Sequence, residues 1–127
     1  MDKRILVVDD DIAIRKSFLL ALEDTGYQVE AVESGEKGIE KKKTGNYDLI
    51  FLDLKMPGLN GVETLMELRK LDREVPVYIV TAFHKEFLDQ LNDAMNNGID
   101  FEVLQKPIGG EQIVLVAKSV LEGPVPH

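Results

Sequence analysis

Four places in this sequence carry groups able to do chemistry, and each stands where an apolar run stops: Asp9, Asp10 and Asp11 after ILVV, Asp53 after LIFL, Thr81 after VYIV, and Lys106 after VLQ. Taken one at a time these residues have plain explanations. Asp11 is well placed to cap a following helix, Thr81 to bond locally, and Lys106 to be an ordinary surface lysine. Taken together they say more. Asp9, Asp10 and Asp53 on one rim would repel strongly unless protons or a cation relieved them. Oxygen donors without His or Cys suit Mg2+, a hard ion that keeps waters and takes one or two carboxylates plus a phosphate. A carboxylate is already ionised at neutral pH, so it can attack an activated phosphoryl donor without a general base and form an aspartyl phosphate. Asp53, alone at the end of its run, is the best nucleophile. Lys106 would bring a point charge and Thr81 a hydroxyl to the oxygens of the transferred group, with Ala82 leaving it room.

For those residues to meet, the chain must place them on one edge of a common scaffold. Short apolar or β-branched runs at 5–8, 28–32, 49–52, 77–80 and 102–104 have the length of strands. Between them lie segments of helical spacing: 13–24 with Ile14, Phe18, Ala21 and Leu22, about 36–43, 62–71 with Leu65, Leu68 and Leu71, 86–97, and 111–122 with Ile113, Val116, Ala117 and Val120. Strand and helix thus alternate, with strands apolar at nearly every position, which predicts an α/β sandwich: a five-stranded parallel sheet covered by helices on both faces. Such sheets bind ligands beyond the carboxyl ends of their strands, near the point where strand order reverses. The acidic and basic residues above stand at those ends; the second strand alone finishes without a reactive group. Gly123 can close the last helix and Pro124 forbids its continuation.

Bulk properties narrow the function. A chain of 127 residues, 44% hydrophobic, suits one domain with a core of its own. Without cysteine there is no disulfide framework, thiol nucleophile or thiolate metal site. Apolar runs as short as ILVV and LIFL neither span a membrane nor form a secretory signal, so a cytoplasmic location is expected. Fifteen basic against 23 acidic residues leave a charge of −8, a field that repels nucleic acid. The basic cluster EKKKTG at 40–45 falls where a helix should end, and lysines there complement the helix dipole. His84 reads as a solvated loop residue, since a carboxylate nucleophile needs no base and a hard metal does not favour imidazole.

VVDD at 7–10, LIFLDLKMPG at 49–58, Gly61, IVTA at 79–82 and QKP at 105–107 together resemble the receiver domain of bacterial two-component response regulators, over about residues 3–121. The resemblance implies a flavodoxin-like (βα)5 three-layer sandwich over 1–122, with 123–127 a tail or the start of a linker. It implies that Asp53 accepts a phosphoryl group from a sensor histidine kinase or a histidine phosphotransfer domain. Asp9, Asp10, Asp53 and the backbone carbonyl of Lys55 would hold Mg2+, while Thr81 and Lys106 bind the phosphoryl oxygens. The Lys106–Pro107 peptide would be cis, and Met56, Pro57, Gly58 and Gly61 would shape the turn after the phosphorylated strand. By the same resemblance the chain catalyses its own phosphorylation and dephosphorylation and is not a turnover enzyme. Its output is an altered surface offered to an effector domain or downstream protein. Lys55 and Phe83 would tune the phosphoryl lifetime, and Ile14 is either a kinase-docking residue or core.

The sequence departs from the family pattern in two places. Val103 occupies a position usually aromatic, and the stretches around 81–98 and 96–107 are longer than usual, which predicts a late or displaced fourth helix. Three other functions fit the sequence less well. An aspartyl-phosphate phosphohydrolase would need a second acid where Lys55 stands. A flavodoxin-like electron carrier would need the turn that Asp9 to Asp11 fill. A degenerate receiver acting as a phosphorylation-independent binding module would not need Asp9, Asp10, Asp53, Thr81 and Lys106 all intact.

Overall fold

The computed structural model describes residues 2–82 and 85–123; the expectations on Phe83, His84 and the chain from Pro124 fall outside them. In chain order the elements are β1 (Arg4–Val8), α1 (Ile12–Leu22), β2 (Gln28–Val32), α2 (Gly35–Thr44), β3 (Leu49–Asp53), α3 (Gly61–Leu71), β4 (Val77–Thr81), a 3-10 turn (Lys85–Phe87), α4 (Leu88–Asn96), β5 (Glu102–Gln105) and α5 (Gly110–Glu122). The five strands form one parallel sheet in the order β2-β1-β3-β4-β5. Strand order reverses between β1 and β3, so the ends of these two strands border the crevice where such folds bind ligands.

Side chains alternate across the sheet and divide the core in two. Leu6, Val8, Ile50, Leu52, Val77 and Ile79 face Leu65 and Leu68 of α3 and Ala94 of α4, with Ile39 of α2 at the margin. Ile5, Val7, Leu49, Phe51 and Val80 face Phe18 and Leu22 of α1 and Ile113 and Ala117 of α5. The Phe18 and Phe51 rings meet with centroids 4.9 Å apart. Flanked on both sides and covered on both faces, β3 is buried at every position. The edge strands are not: QVEAV has one buried residue and EVLQ none, so the expectation of apolar character throughout holds for the three inner strands only.

Local chemistry accounts for the element ends. Asp11 caps α1 by accepting from the Ala13 amide, as expected, and Ser34 caps α2 by accepting from Lys37. Asn60 and Glu63 form a reciprocal capping box that starts α3 directly after the turn following β3. α1 ends at Leu22, the last of its apolar positions and short of the expected Asp24. Leu71, predicted to face the core, is 44% exposed, because α3 finishes beside it and its ring of core contacts ends with Leu68. The fourth helix does start late: Phe87 offers no capping side chain, and a 3-10 turn precedes α4. Gly123 closes α5 at φ 80°, a backbone value that favours glycine. The lysines of 41–43 occupy the last turn of α2, as the dipole argument requires, and two of them also find carboxylates: Lys41 pairs with Glu30 at 3.0 Å, and the buried Lys42 with Asp72 at 3.1 Å. Among the described residues no helix is long and apolar enough to cross a membrane.

Candidate functional site

β1 and β3 run side by side with Val8 opposite Leu52, so the residues that follow, Asp9 and Asp53, emerge together at the carboxyl edge. β4 pairs Val80 with Asp53, which brings Thr81 to the same rim, and β5 pairs Gln105 with Thr81, which delivers Lys106. The Lys106 amide donates to the Thr81 carbonyl at 2.8 Å, and the Lys106–Pro107 peptide is cis, as the resemblance implied.

Asp9 and Asp53 are buried while Asp10 lies exposed at the lip, yet carboxylate oxygens of all three come within 4.8 Å of one another. The Lys106 ammonium lies between two of them, donating to Asp9 Oδ2 at 3.0 Å and to Asp53 Oδ1 at 3.2 Å. Asp53 Oδ1 also accepts from the Leu54 amide at 2.9 Å, and Asp9 Oδ1 from the Asp11 amide at 2.9 Å. Burial, then the charge of Asp9, pushes the Asp53 carboxyl up to about 6, against the opposing pull of Lys106. Burial works against the charge of Lys106, but its bond to Asp9 and the field of both carboxylates outweigh it and hold the ammonium above its usual range. Three carboxylates against one ammonium leave negative charge in excess, and among the described residues the ligand atoms that cluster there are carboxylate oxygens. That donor set fits Mg2+.

The turn after β3 supports this arrangement by close packing. The Gly61 amide donates to the Leu54 carbonyl at 2.7 Å. A Cβ at Gly61 would stand 2.3 Å from the Asp53 carbonyl oxygen and 2.7 Å from Leu54 Cα, so only glycine lets α3 begin against the strand that carries Asp53. Gly58 turns the chain at φ 74°, and Met56 is buried beneath the loop.

The residues read from the strand ends therefore share one rim. The Thr81 hydroxyl donates to the Ala82 carbonyl at 2.6 Å. Lys106 is half-buried between carboxylates and is not an ordinary surface lysine. Val103 is 49% exposed on β5, and Phe101 packs at the margin of the core. Ile14 packs at the margin of the core on the α1 and α5 side. Two contacts beside the site escaped the sequence reading. Arg15 Nη1 donates to the Asp9 carbonyl at 2.8 Å, and the Lys55 ammonium pairs with Glu86 at 3.3 Å, joining the loop after β3 to the turn before α4. Arg15 alone left a trace in the sequence, as a cation in the first turn of a helix, where the dipole disfavours it.

Comparison with known proteins gives a consistent result. Residues 5–118 match the family model described as the response regulator receiver domain. The chain is 34% identical over 120 residues to the transcriptional regulatory protein ResD of Bacillus subtilis, covering 94% of this chain and 48% of that one. It is 31% identical to the response regulator MprA of Mycolicibacterium vanbaalenii, over 99% of this chain and 53% of the relative. The chain thus spans about half the length of the curated relatives it matches. Among solved structures, a CheY-like receiver domain protein from Methanospirillum hungatei superposes with a TM-score of 0.85 at 31% identity, over 96% of this chain and 95% of that one. The response regulator TrrA of Thermotoga maritima, solved in complex with Mg(2+)-BeF, superposes with a TM-score of 0.77 at 33% identity, covering 94% and 99%.

Proposed function

Because the chain belongs to the response regulator receiver domain family, we propose that it is a phosphorylation-controlled switch whose acceptor is Asp53. The observation that carries this reading is the Lys106 ammonium bonded at once to Asp9 and Asp53, which holds the Asp53 carboxylate at the mouth of an oxygen-lined gap. A carboxylate so held is a pre-oriented nucleophile.

In the proposed reaction an Asp53 oxygen forms a bond to the phosphorus of a phosphohistidine on a sensor histidine kinase or histidine phosphotransfer domain. The P–N bond breaks, its electron pair stays on the imidazole, and the imidazole takes up a proton. Asp9, Asp10, Asp53 and the Lys55 carbonyl would hold Mg2+, which would supply positive charge against the negative charge gathering on the transferred group. Lys106 is already placed to follow an oxygen of that group, since it needs only to exchange one carboxylate partner for a phosphoryl one. The Thr81 hydroxyl would leave the Ala82 carbonyl for another phosphoryl oxygen, and that rotation would bias the segment after β4 toward a second arrangement. The product is an altered surface, read by an effector domain or a downstream protein. Later attack by water on the aspartyl phosphate returns Asp53 to its starting state, so the cycle acts on the chain itself and on no external substrate. Residues 1–122 would form the receiver unit, with 123–127 leading out of it. The acidic balance of the chain argues against direct contact with nucleic acid, and a cytoplasmic setting agrees with a histidine kinase partner.

The test is intact-mass spectrometry after incubation with Mg2+ and a small acyl phosphate. The expected result is a gain of about 80 Da, one PO3 unit, that does not form when the metal is chelated beforehand and is absent in Asp53→Ala. A gain that survives the substitution would remove Asp53 from this role.

A further inference from the structure

Arg15 stands in the first turn of α1, where a cation opposes the positive end of the helix dipole, with the Asp11 carboxylate at the N-cap and the charge of Glu33 as the acidic groups near it. A residue that breaks a local rule invites a search for what it gains in return. Its guanidinium Nη1 donates to the carbonyl of Asp9 at 2.8 Å, reaching back six residues to the acidic turn. The other parts of that turn are pinned by the backbone and by its own side chains. The Asp9 amide donates to the Val32 carbonyl at 3.1 Å, and the Asp11 amide to Asp9 Oδ1 at 2.9 Å. The Ala13 amide donates to Asp11 Oδ1 at 2.8 Å, and the Arg15 amide to the Asp11 carbonyl at 3.1 Å. Those bonds fix Asp9 and Asp11 on either side of Asp10. The carbonyl that Arg15 holds belongs to the peptide joining Asp9 to Asp10, and the rotation of that peptide sets the direction in which the exposed Asp10 side chain leaves the chain.

We propose that Arg15 is a positioning residue for divalent cation binding: by holding the Asp9–Asp10 peptide it keeps the Asp10 carboxylate beside those of Asp9 and Asp53. This rests on the reading that these three carboxylates hold the ion. Positioning and plain electrostatics predict opposite signs. Arg15 is a positive charge near a cation site, so by charge alone its removal should tighten metal binding. If it orients a ligand, its removal should weaken binding, as loss of a hydrogen bond that orients a metal ligand commonly does.

The experiment titrates the whole chain with Mn2+, an ion of similar ligand preference, and reads free Mn2+ by electron paramagnetic resonance, which requires no phosphorylation. Arg15→Ala is expected to weaken binding about tenfold, and Arg15→Lys to recover part of the loss. In an Asp10→Asn background the same Arg15→Ala change should cost less than about twofold, because the ligand it orients is already gone. Circular dichroism of the metal-free variants checks that the fold is retained, and Arg15→Met, which keeps the stem without the donor or the charge, serves in place of Arg15→Ala if it is not. Binding by Arg15→Ala as tight as, or tighter than, the unaltered chain would overturn the proposal while leaving the metal reading intact. So would an equal loss in both backgrounds. If the unaltered chain takes up no Mn2+, the metal reading itself fails and this inference fails with it.

Discussion

The Asp53 carboxyl titrates near 6 in the metal-free fold because burial and Asp9 act on its charge more strongly than Lys106 does. Its folded value thus lies above the ordinary carboxylate value of the unfolded chain, so its charge costs stability. The cost is absent below about pH 4 and complete above about pH 6. Asp53→Asn should accordingly raise the metal-free unfolding free energy by on the order of 1–3 kcal/mol at pH 8, shrinking toward zero near pH 4, as measured by urea denaturation at the two pH values. A destabilised variant at pH 8 would contradict this balance. Lys106 works the other way: Lys106→Met leaves Asp9 and Asp53 facing each other without a counter-ion. It should cost about 2 kcal/mol at pH 7 without metal, yet bind Mg2+ more tightly by calorimetry, since the site becomes more negative. At this scale the sequence was informative where a reactive group ends an apolar run, as Asp9, Asp53, Thr81 and Lys106 do. It was silent on partners set by three-dimensional reach: the grip of Arg15 on a carbonyl and the buried Lys42–Asp72 pair.

Elements aim these residues through contacts tighter than any pattern of hydrophobicity reveals. α3 begins so close to the end of β3 that a methyl group at Gly61 would overlap the Asp53 carbonyl oxygen, at 2.3 Å. Gly61→Ala should therefore shift the strand end, cost about 1–3 kcal/mol in urea denaturation and slow acyl phosphate labelling. Gly110→Ala, in the first turn of α5 where a Cβ would meet only the Ala21 Cβ at 3.6 Å, an ordinary contact, should cost no stability and leave labelling close to unaltered. Equal effects at the two glycines would show that the α3 contact does not position Asp53. The inner strands and the faces of α1 and α5 were legible because period and burial coincide there. The edge strands β2 and β5 and the late α4 stand close to where the sequence put them, but the exposure of those strands and of Leu71 was not legible, because each lies where one side of an element loses its cover and local pattern no longer reports burial.

For the molecule as a whole, the sheet works as a frame that carries charge to one edge: three carboxylates and one ammonium meet there, in a chain of net charge −8. An ion that binds the folded form and not the unfolded one stabilises it by mass action. Mg2+ at a hundred times its dissociation constant should raise the unfolding free energy by about 2.7 kcal/mol in a single transition, and the gain should vanish in Asp53→Ala. Persistence of the full gain in that variant would place the ion elsewhere. The most direct test of the central assignment locates the phosphoryl group itself. An aspartyl phosphate is an acyl phosphate, so borohydride reduction of the phosphorylated chain should convert the acceptor to homoserine, which peptide mass mapping can find. The account predicts homoserine at position 53 and at no other aspartate; homoserine at Asp9 or Asp10, or a phosphorylated chain with Asp53 unaltered, would contradict it.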